Sequence, residues 1–313
     1  VMGDRIANSM IEVVKEPLID GVTISIEIER VLVRRRTAYQ EVIVADTPAY
    51  GRALFLDGLI QSSISDEALY HENLIHPALV IHGRPRRVLV AGTGEGASLR
   101  EILRHPTIER VLSVDLDGEV VEICRRFLPE WSAGALDDPR VELCVQDVRE
   151  TLELVEPGSF DVVVGDLSDP VAEGPSAALW SCEYVAQVAR VLADDGLFVL
   201  QAGEFDPCDL QMARAVRSTL LEVFPQVHFL HAAVPSFNCI WGFAIAAMRP
   251  LDLCPADLEA RIAALPREQL RVYTAISHRA ALEIPPYLAA MLERPGEVIV
   301  GAAKASALAG LPL

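Results

Sequence analysis

Four short segments of this sequence put carboxylates where a parallel sheet would present them to a ligand. They are AGTGEG (residues 91–96) with Glu95, VDLD (114–117) with Asp115 and Asp117, VQDV (145–148) with Asp147, and GDLSDP (165–170) with Asp166 and Asp169. Gly92 and Gly94 free the backbone for a tight turn, and the helix that follows offers unpaired N–H groups. The GxGxG spacing leans towards an adenosyl-sulfonium ligand over a dinucleotide, although alone it fits an ordinary tight turn equally well. Glu95 says more, because a carboxylate inside the loop would repel a pyrophosphate. Any one of the aspartates could be a helix N-cap or a turn residue. It is their recurrence at consecutive strand ends that points to a site.

The chemistry follows from the charges. Asp115 is placed to accept hydrogen bonds from both hydroxyls of a ribose, and Asp147 from an adenine amino group. A sulfonium is cationic. If its tail kept an amino-acid carboxylate, Glu95 would oppose it; if the tail is a bare aminopropyl ammonium, Glu95 and Asp166 become ion-pair partners. The carboxylates therefore favour decarboxylated S-adenosylmethionine as co-substrate. An amine nucleophile is protonated and inert at neutral pH, so it needs a base. Asp166 is the candidate to position the ammonium and take its proton, with Asp169 anchoring it or a more distant ammonium. Displacement at the carbon bearing the sulfonium needs little else, because sulfur leaves as a neutral thioether.

Such residues need elements to carry them. From Arg86 the chain alternates: RRVLVAG, ERVLSVDLD, RVELCVQD, FDVVVGDLSDP and DGLFVLQAG read as strands, with EGASLREILRH, EVVEICRRFL and EYVAQVARVLA as helices between them. That alternation predicts an α/β fold, a Rossmann-like, methyltransferase-type doubly wound sheet. QVHFLHAAV and IWGFAIAAM would close it as antiparallel strands. Residues 21–65 alternate with period two and turn at Asp57-Gly58, which predicts a small antiparallel β domain of five or six strands before the sheet. The expected divisions are an N-terminal β domain (1–75), a Rossmann-like cofactor-binding catalytic domain (76–250) and a mostly helical C-terminal extension (251–313).

Composition narrows the partners. The net charge of −18 disfavours a phosphate backbone, so nucleic acid is not expected. Apolar runs are too short for a membrane span, and VMGDRIANSMIEVV has no signal-peptide grammar. Six scattered cysteines without CxxC spacing read as reduced thiols in a cytoplasmic protein. No metal is expected: His71 and His76 fall off a common helix face, and His228 and His231 on opposite sides of a strand.

Over residues 31–248 the chain resembles the polyamine aminopropyltransferases, the spermidine, spermine and thermospermine synthases. The resemblance rests on YQEVIVADTPAYGRALFLDGLIQSS, DEALYHENLIHPAL, AGTGEGASLREILRH, DLDGEVVEICRRFLP, GDLSDP and VPSF. It implies that Gln40, His71, Glu95, Asp115 and Asp147 hold the cofactor together with the Gly92 and Gly94 loop, and that Pro175 packs near the adenine. It further implies that Tyr70, Asp166, Asp169 and Gln201 line the site of a small-molecule polyamine, with Asp166 as base, in a homodimer or homotetramer.

Some positions depart from the spermidine-synthase pattern. Thr93 replaces a glycine, PVAEG lengthens the turn after Asp169, and Phe237 stands where spermidine synthases carry tyrosine. The last two features, with RVYTAISHRAALEIPPYL, resemble the thermospermine-synthase-like branch, although TAIS (274–277) lacks that branch's acidic stretch. If that stretch touches the acceptor, the acceptor differs. Three rivals remain: an S-adenosylmethionine-dependent methyltransferase, an idle homologue that senses polyamines, and an aminopropyltransferase of secondary metabolism that carries its product further, for instance by cyclisation.

Overall fold

The alternating N-terminal segments pair as antiparallel strands, but in two sheets instead of one. A computed structural model describes residues 12–19, 21–170, 174, 176–208 and 210–309. β1 (Glu12–Ile19) pairs with β2 (Val22–Ile28), while β3 (Arg30–Arg36), β4 (Glu41–Thr47), β5 (Gly51–Leu56) and β6 (Leu59–Ser63) form a separate meander. Asp57 and Gly58 turn β5 into β6 with φ of 48° and 81°, both positive as a two-residue hairpin requires. The meander is covered on both faces. Ile43 and Ala45 of β4 join the main core, whereas Val42 and Val44 pack with Leu128 and Trp131.

α1 (Glu67–His82) leads from the meander to the large sheet and ends at Gly83, whose φ of 88° closes it. It runs unbroken through position 75, so the division expected there falls inside one helix. The physical reason is at its start. Asp66 accepts hydrogen bonds from the Ser236 N–H (2.6 Å) and from the hydroxyls of Ser63 and Ser236, which ties the end of β6 to the VPSF turn. α1 is buried on nearly every side, including Glu67, His71, Glu72 and His76.

The large sheet comprises β7 (Arg87–Ala91), β8 (Arg110–Asp115), β9 (Val141–Val145), β10 (Phe160–Gly165), β11 (Leu192–Glu204), β12 (Gln226–Val234) and β13 (Cys239–Ala247). Their order is β12-β13-β11-β10-β7-β8-β9, parallel from β9 to β11 and antiparallel at β13 and β12. Between the strands run α2 (Ala97–Leu103), α3 (Gly118–Phe127), α4 (Pro129–Ser132), α5 (Val148–Leu154), α6 (Cys182–Val191) and α7 (Gln211–Leu221). The chain winds outward from β7 to β9 and then returns to β10 on the other side of β7. That reversal opens a crevice at the carboxyl ends of β7 and β10. Among the described residues no helix is long and apolar enough to cross a membrane. All six cysteines are free thiols.

The C-terminal part carries α8 (Leu258–Ala263), α9 (Ala275–Leu282), α10 (Pro286–Leu292) and α11 (Ala302–Ala309). It is held to α1 by a buried anion. The Glu72 carboxylate, with no exposed surface, accepts the backbone N–H groups of Arg271, Val272 and Tyr273 at 2.7, 2.9 and 2.6 Å. TAIS forms the start of α9, where Thr274 and Ser277 make a reciprocal capping box. Glu72→Ala leaves three buried donors without their acceptor, and an unfolding free energy lower by about 3 kcal/mol is expected in urea denaturation; an unchanged midpoint would show that water replaces the carboxylate.

Candidate active site

The crevice is built by two loops in backbone contact. The Asp166 N–H donates to the Ala91 carbonyl at 2.9 Å, and the Gly92 N–H donates to Val114 at 2.9 Å. Gly92 has φ of 89°, and a Cβ there would lie 2.0 Å from the Asp166 carbonyl oxygen, so only glycine lets the loops meet. Thr93 fits without a positive φ. Its hydroxyl meets that of Ser113 at 2.6 Å, and its N–H donates to Asp115 at 2.8 Å.

Every site residue expected from the sequence lines this one cavity of about 230 Å³, except Pro175, which lies outside the described residues. At one end, one oxygen of Asp115 holds the N–H groups of Thr93 and Gly94 and the other accepts from the Asp117 N–H, so the carboxylate is fixed in the cavity wall. Asp117 caps α3 through the Glu119 N–H and accepts from the Thr37 hydroxyl (2.6 Å) and the Gln40 amide (3.2 Å), which anchors Gln40 across the domain junction. Asp147 caps α5 and pairs with Arg149 at 2.6 Å; the Arg149 hydrogen bond holds its carboxyl below the ordinary value.

Carboxylates converge at the centre. Asp166 accepts from the Tyr70 hydroxyl at 3.0 Å and the Ser98 hydroxyl at 2.6 Å. Burial pushes its carboxyl above the ordinary value, while the His71 charge pulls it down, Glu95 pushes it up, and the two hydroxyls favour the anion. Glu95 lies 3.4 Å from His71 Nε2. Next along, Gln201 donates to the Leu167 carbonyl (3.0 Å) and to Asp169 (3.2 Å), while its own amide oxygen accepts from the Gly203 N–H at 2.8 Å. Burial lifts the Asp169 carboxyl to about 6, with the Gln201 hydrogen bond opposing.

Beyond Asp169 the cavity continues past residues that sequence reasoning missed. Glu16 of β1 reaches it, and its carboxylate accepts the Ile60 N–H at 3.1 Å. Burial lifts that carboxyl to about 7; the Ile60 hydrogen bond opposes this and Asp169 adds to it. On an alternating strand a single glutamate reads as the solvent side, so no local pattern marks it. Trp241 of β13 and Phe237 form an aromatic wall, their ring centroids 4.8 Å apart, and Phe237 also meets the Tyr70 ring edge-on at 5.9 Å. Leu308 of α11 lines the cavity too. Thr274 to Ser277 do not line the cavity, so the TAIS departure leaves its lining unchanged. Among the described residues no group of three or more His, Cys, Asp or Glu side chains is arranged to hold a metal.

Set against known proteins, the sequence matches the spermine/spermidine synthase domain over residues 67–252. The chain belongs to the spermine/spermidine synthase family. The spermidine synthase tetramerisation domain matches residues 13–63, so both family domains flank the start of α1. A relative named polyamine aminopropyltransferase 2, from Pseudomonas aeruginosa, is 46% identical over 220 residues, covering 70% of this chain and 63% of its own. A polyamine aminopropyltransferase from Pyrobaculum calidifontis is 38% identical over 278 residues, covering 86% and 94%. In fold, the family likeness extends to the crystal structure of spermidine synthase from Thermotoga maritima, with a TM-score of 0.79 at 24% identity over 93% of this chain and 97% of that one.

Gly92→Ala drives a methyl group into the Asp166 backbone and displaces one of the two loops. Steady-state turnover is expected to fall about 100-fold, the scale of a 1 Å misplacement; near-parental turnover would show that the loops separate freely.

Proposed function

We propose that this protein is a transferase that moves the aminopropyl group of decarboxylated S-adenosylmethionine onto a polyamine and releases methylthioadenosine. The observation that carries this reading is the pair Glu95 and Asp166, gathered in a buried crevice beside a histidine whose two nitrogens already face acceptors. A ligand tail entering there meets carboxylates, which suits an ammonium and opposes the carboxylate of intact S-adenosylmethionine. The methyltransferase reading is disfavoured for that reason.

In this reading Asp115 takes the ribose hydroxyls, Asp147 and Pro175 the adenine side, and Gln40, His71 and the Gly92–Gly94 turn complete the cofactor end. Glu95 takes the aminopropyl ammonium. The acceptor nitrogen sits between Tyr70 and Asp166; Asp166 removes its proton, and the freed lone pair attacks the methylene carbon bonded to sulfur. The C–S bond breaks with its electrons going to sulfur, so the cationic sulfonium becomes a neutral thioether. Asp169, oriented by Gln201, holds the acceptor's next ammonium.

The acidic, aromatic continuation past Asp169 supports an acceptor longer than putrescine, such as spermidine, as in the thermospermine-synthase-like branch. Ammonium groups can lie against Glu16 and over the faces of Phe237 and Trp241. We also propose a cytoplasmic homodimer or homotetramer, in keeping with the free thiols and the matched tetramerisation domain. The N-terminal β unit is best divided from the catalytic domain between Ser63 and Glu67, where the two matched domains part.

Asp166→Asn is expected to lower turnover about 1000-fold while the cofactor still binds, measured by product mass spectrometry and calorimetry; retained turnover would remove Asp166 from the base role. Ionised Asp169 is what a cationic acceptor needs, and its free-enzyme carboxyl titrates near 6. The KM for the acceptor should therefore rise as pH falls through 6, and this rise should vanish in Asp169→Asn. A pH-independent KM in the parent would contradict that assignment.

A further inference from the structure

His71 is buried, 3% exposed, and every atom its ring nitrogens face is an acceptor. Nδ1 lies 2.8 Å from the Glu67 carbonyl oxygen and 3.2 Å from Glu67 Oε2; Nε2 lies 3.4 Å from Glu95 Oε1. A neutral imidazole carries one N–H, so one nitrogen would turn its lone pair on a carboxylate. Only the imidazolium donates from both. The partner below it is itself held as an anion. Glu67 takes Arg100 of α2 at 2.7 Å on one oxygen and Arg271 of the C-terminal segment at 3.0 Å on the other. Burial works against that anion, yet His71 and Arg100 bring the Glu67 carboxyl down to about 2. Arg271 is in turn fixed by its own backbone N–H on Glu72, the residue that follows His71 in α1.

We propose that His71 is a fixed cation, positioned by Glu67 and through it by Arg271, whose charge keeps Asp166 ionised in the buried crevice so that it can accept the acceptor's proton. The inference rests on the aminopropyl-transfer reading. His71, already protonated, is no rival base. The proton passes from the acceptor ammonium to the Asp166 carboxylate, leaving a neutral amine and a carboxylic acid, and His71 keeps both of its protons throughout.

The groups that set the charge on Asp166 come from every element around it. Tyr70 and His71 lie on α1, Glu95 on the loop after β7, and the Ser98 hydroxyl comes from α2; Asp169, beyond β10, lines the same cavity. His71 faces Glu67, Glu95 and Asp166, with Arg100 and Arg271 behind Glu67. Of these, His71 is the influence that most strongly opposes burial at Asp166. Removing its charge must raise the Asp166 carboxyl, so activity is lost at a higher pH as pH falls.

The test is the pH profile of kcat for the full-length parent, His71→Gln and Arg271→Gln, with decarboxylated S-adenosylmethionine and spermidine or putrescine, together with histidine nitrogen NMR of the unliganded parent at pH 8. His71→Gln should move the acidic limb up by about one pH unit, a roughly 10-fold deficit near that limb that shrinks at alkaline pH. Arg271→Gln should move it the same way by less, and serves if His71→Gln fails to fold. The spectrum should show one imidazolium assigned to His71. A neutral ring at His71, or a kcat deficit equal at every pH, overturns the proposal. A parent inactive with each amine would overturn the transfer reading instead, and the NMR signal would still decide the charge on His71.

Discussion

A helix that carries Glu67, His71, Glu72 and His76 can run through a protein interior only if each of those groups finds a partner, because an unpaired buried charge costs several kcal/mol. α1 meets that demand by recruiting the rest of the molecule. Glu72 takes three backbone N–H groups of the C-terminal segment, Glu67 takes cations from α2 and from that segment, and His76 meets Glu101 at 3.0 Å and His105 at 2.9 Å. The helix start is tied by Asp66 to the turn that carries Phe237. The β domain, the large sheet and the C-terminal helices therefore meet on one polar helix, and its Tyr70 and His71 lie in the crevice.

The same accounting explains how so many carboxylates share one cavity. Asp115 accepts three backbone N–H groups and keeps room for a further donor, Asp117 takes backbone N–H groups with Thr37 and Gln40, and Asp147 pairs with Arg149. These carboxylates have partners before any ligand arrives. Asp169 and Glu16 are not compensated to that degree, and burial raises both. The cavity is thus graded, with carboxylates already hydrogen-bonded or paired at the nucleoside end and ones raised by burial at the far end, where a cationic acceptor supplies the missing charge. The overall charge of −18 is a poor guide to this, since local placement decides what binds.

Local patterns carried much of this in the sequence. Asp57-Gly58 marked its hairpin because few residue pairs tolerate two positive φ values, and both do so here. Gly92, Glu95, Asp115, Asp147 and Asp166 were legible because a doubly wound sheet gathers its strand ends at one edge, so adjacency in space follows from order in the chain. TAIS was misleading. Its threonine and serine suit a capping box, and that local use keeps it at the start of α9, away from the cavity. The division expected at 75/76 falls within α1, because one continuous helix joins the β meander to the large sheet.

What the amino-acid order determined by itself was the sheet, the glycine turn and the row of acids at its strand ends, since each depends on residues close in sequence and on backbone rules. What only the tertiary structure decided was which distant groups share a boundary. Glu16 and Trp241 reach the far end of the cavity, and Arg271 stands behind Glu67, through contacts spanning as many as 204 positions. No periodicity records such contacts, because they arise from how whole elements pack, and the charge state of His71 is a consequence of that packing.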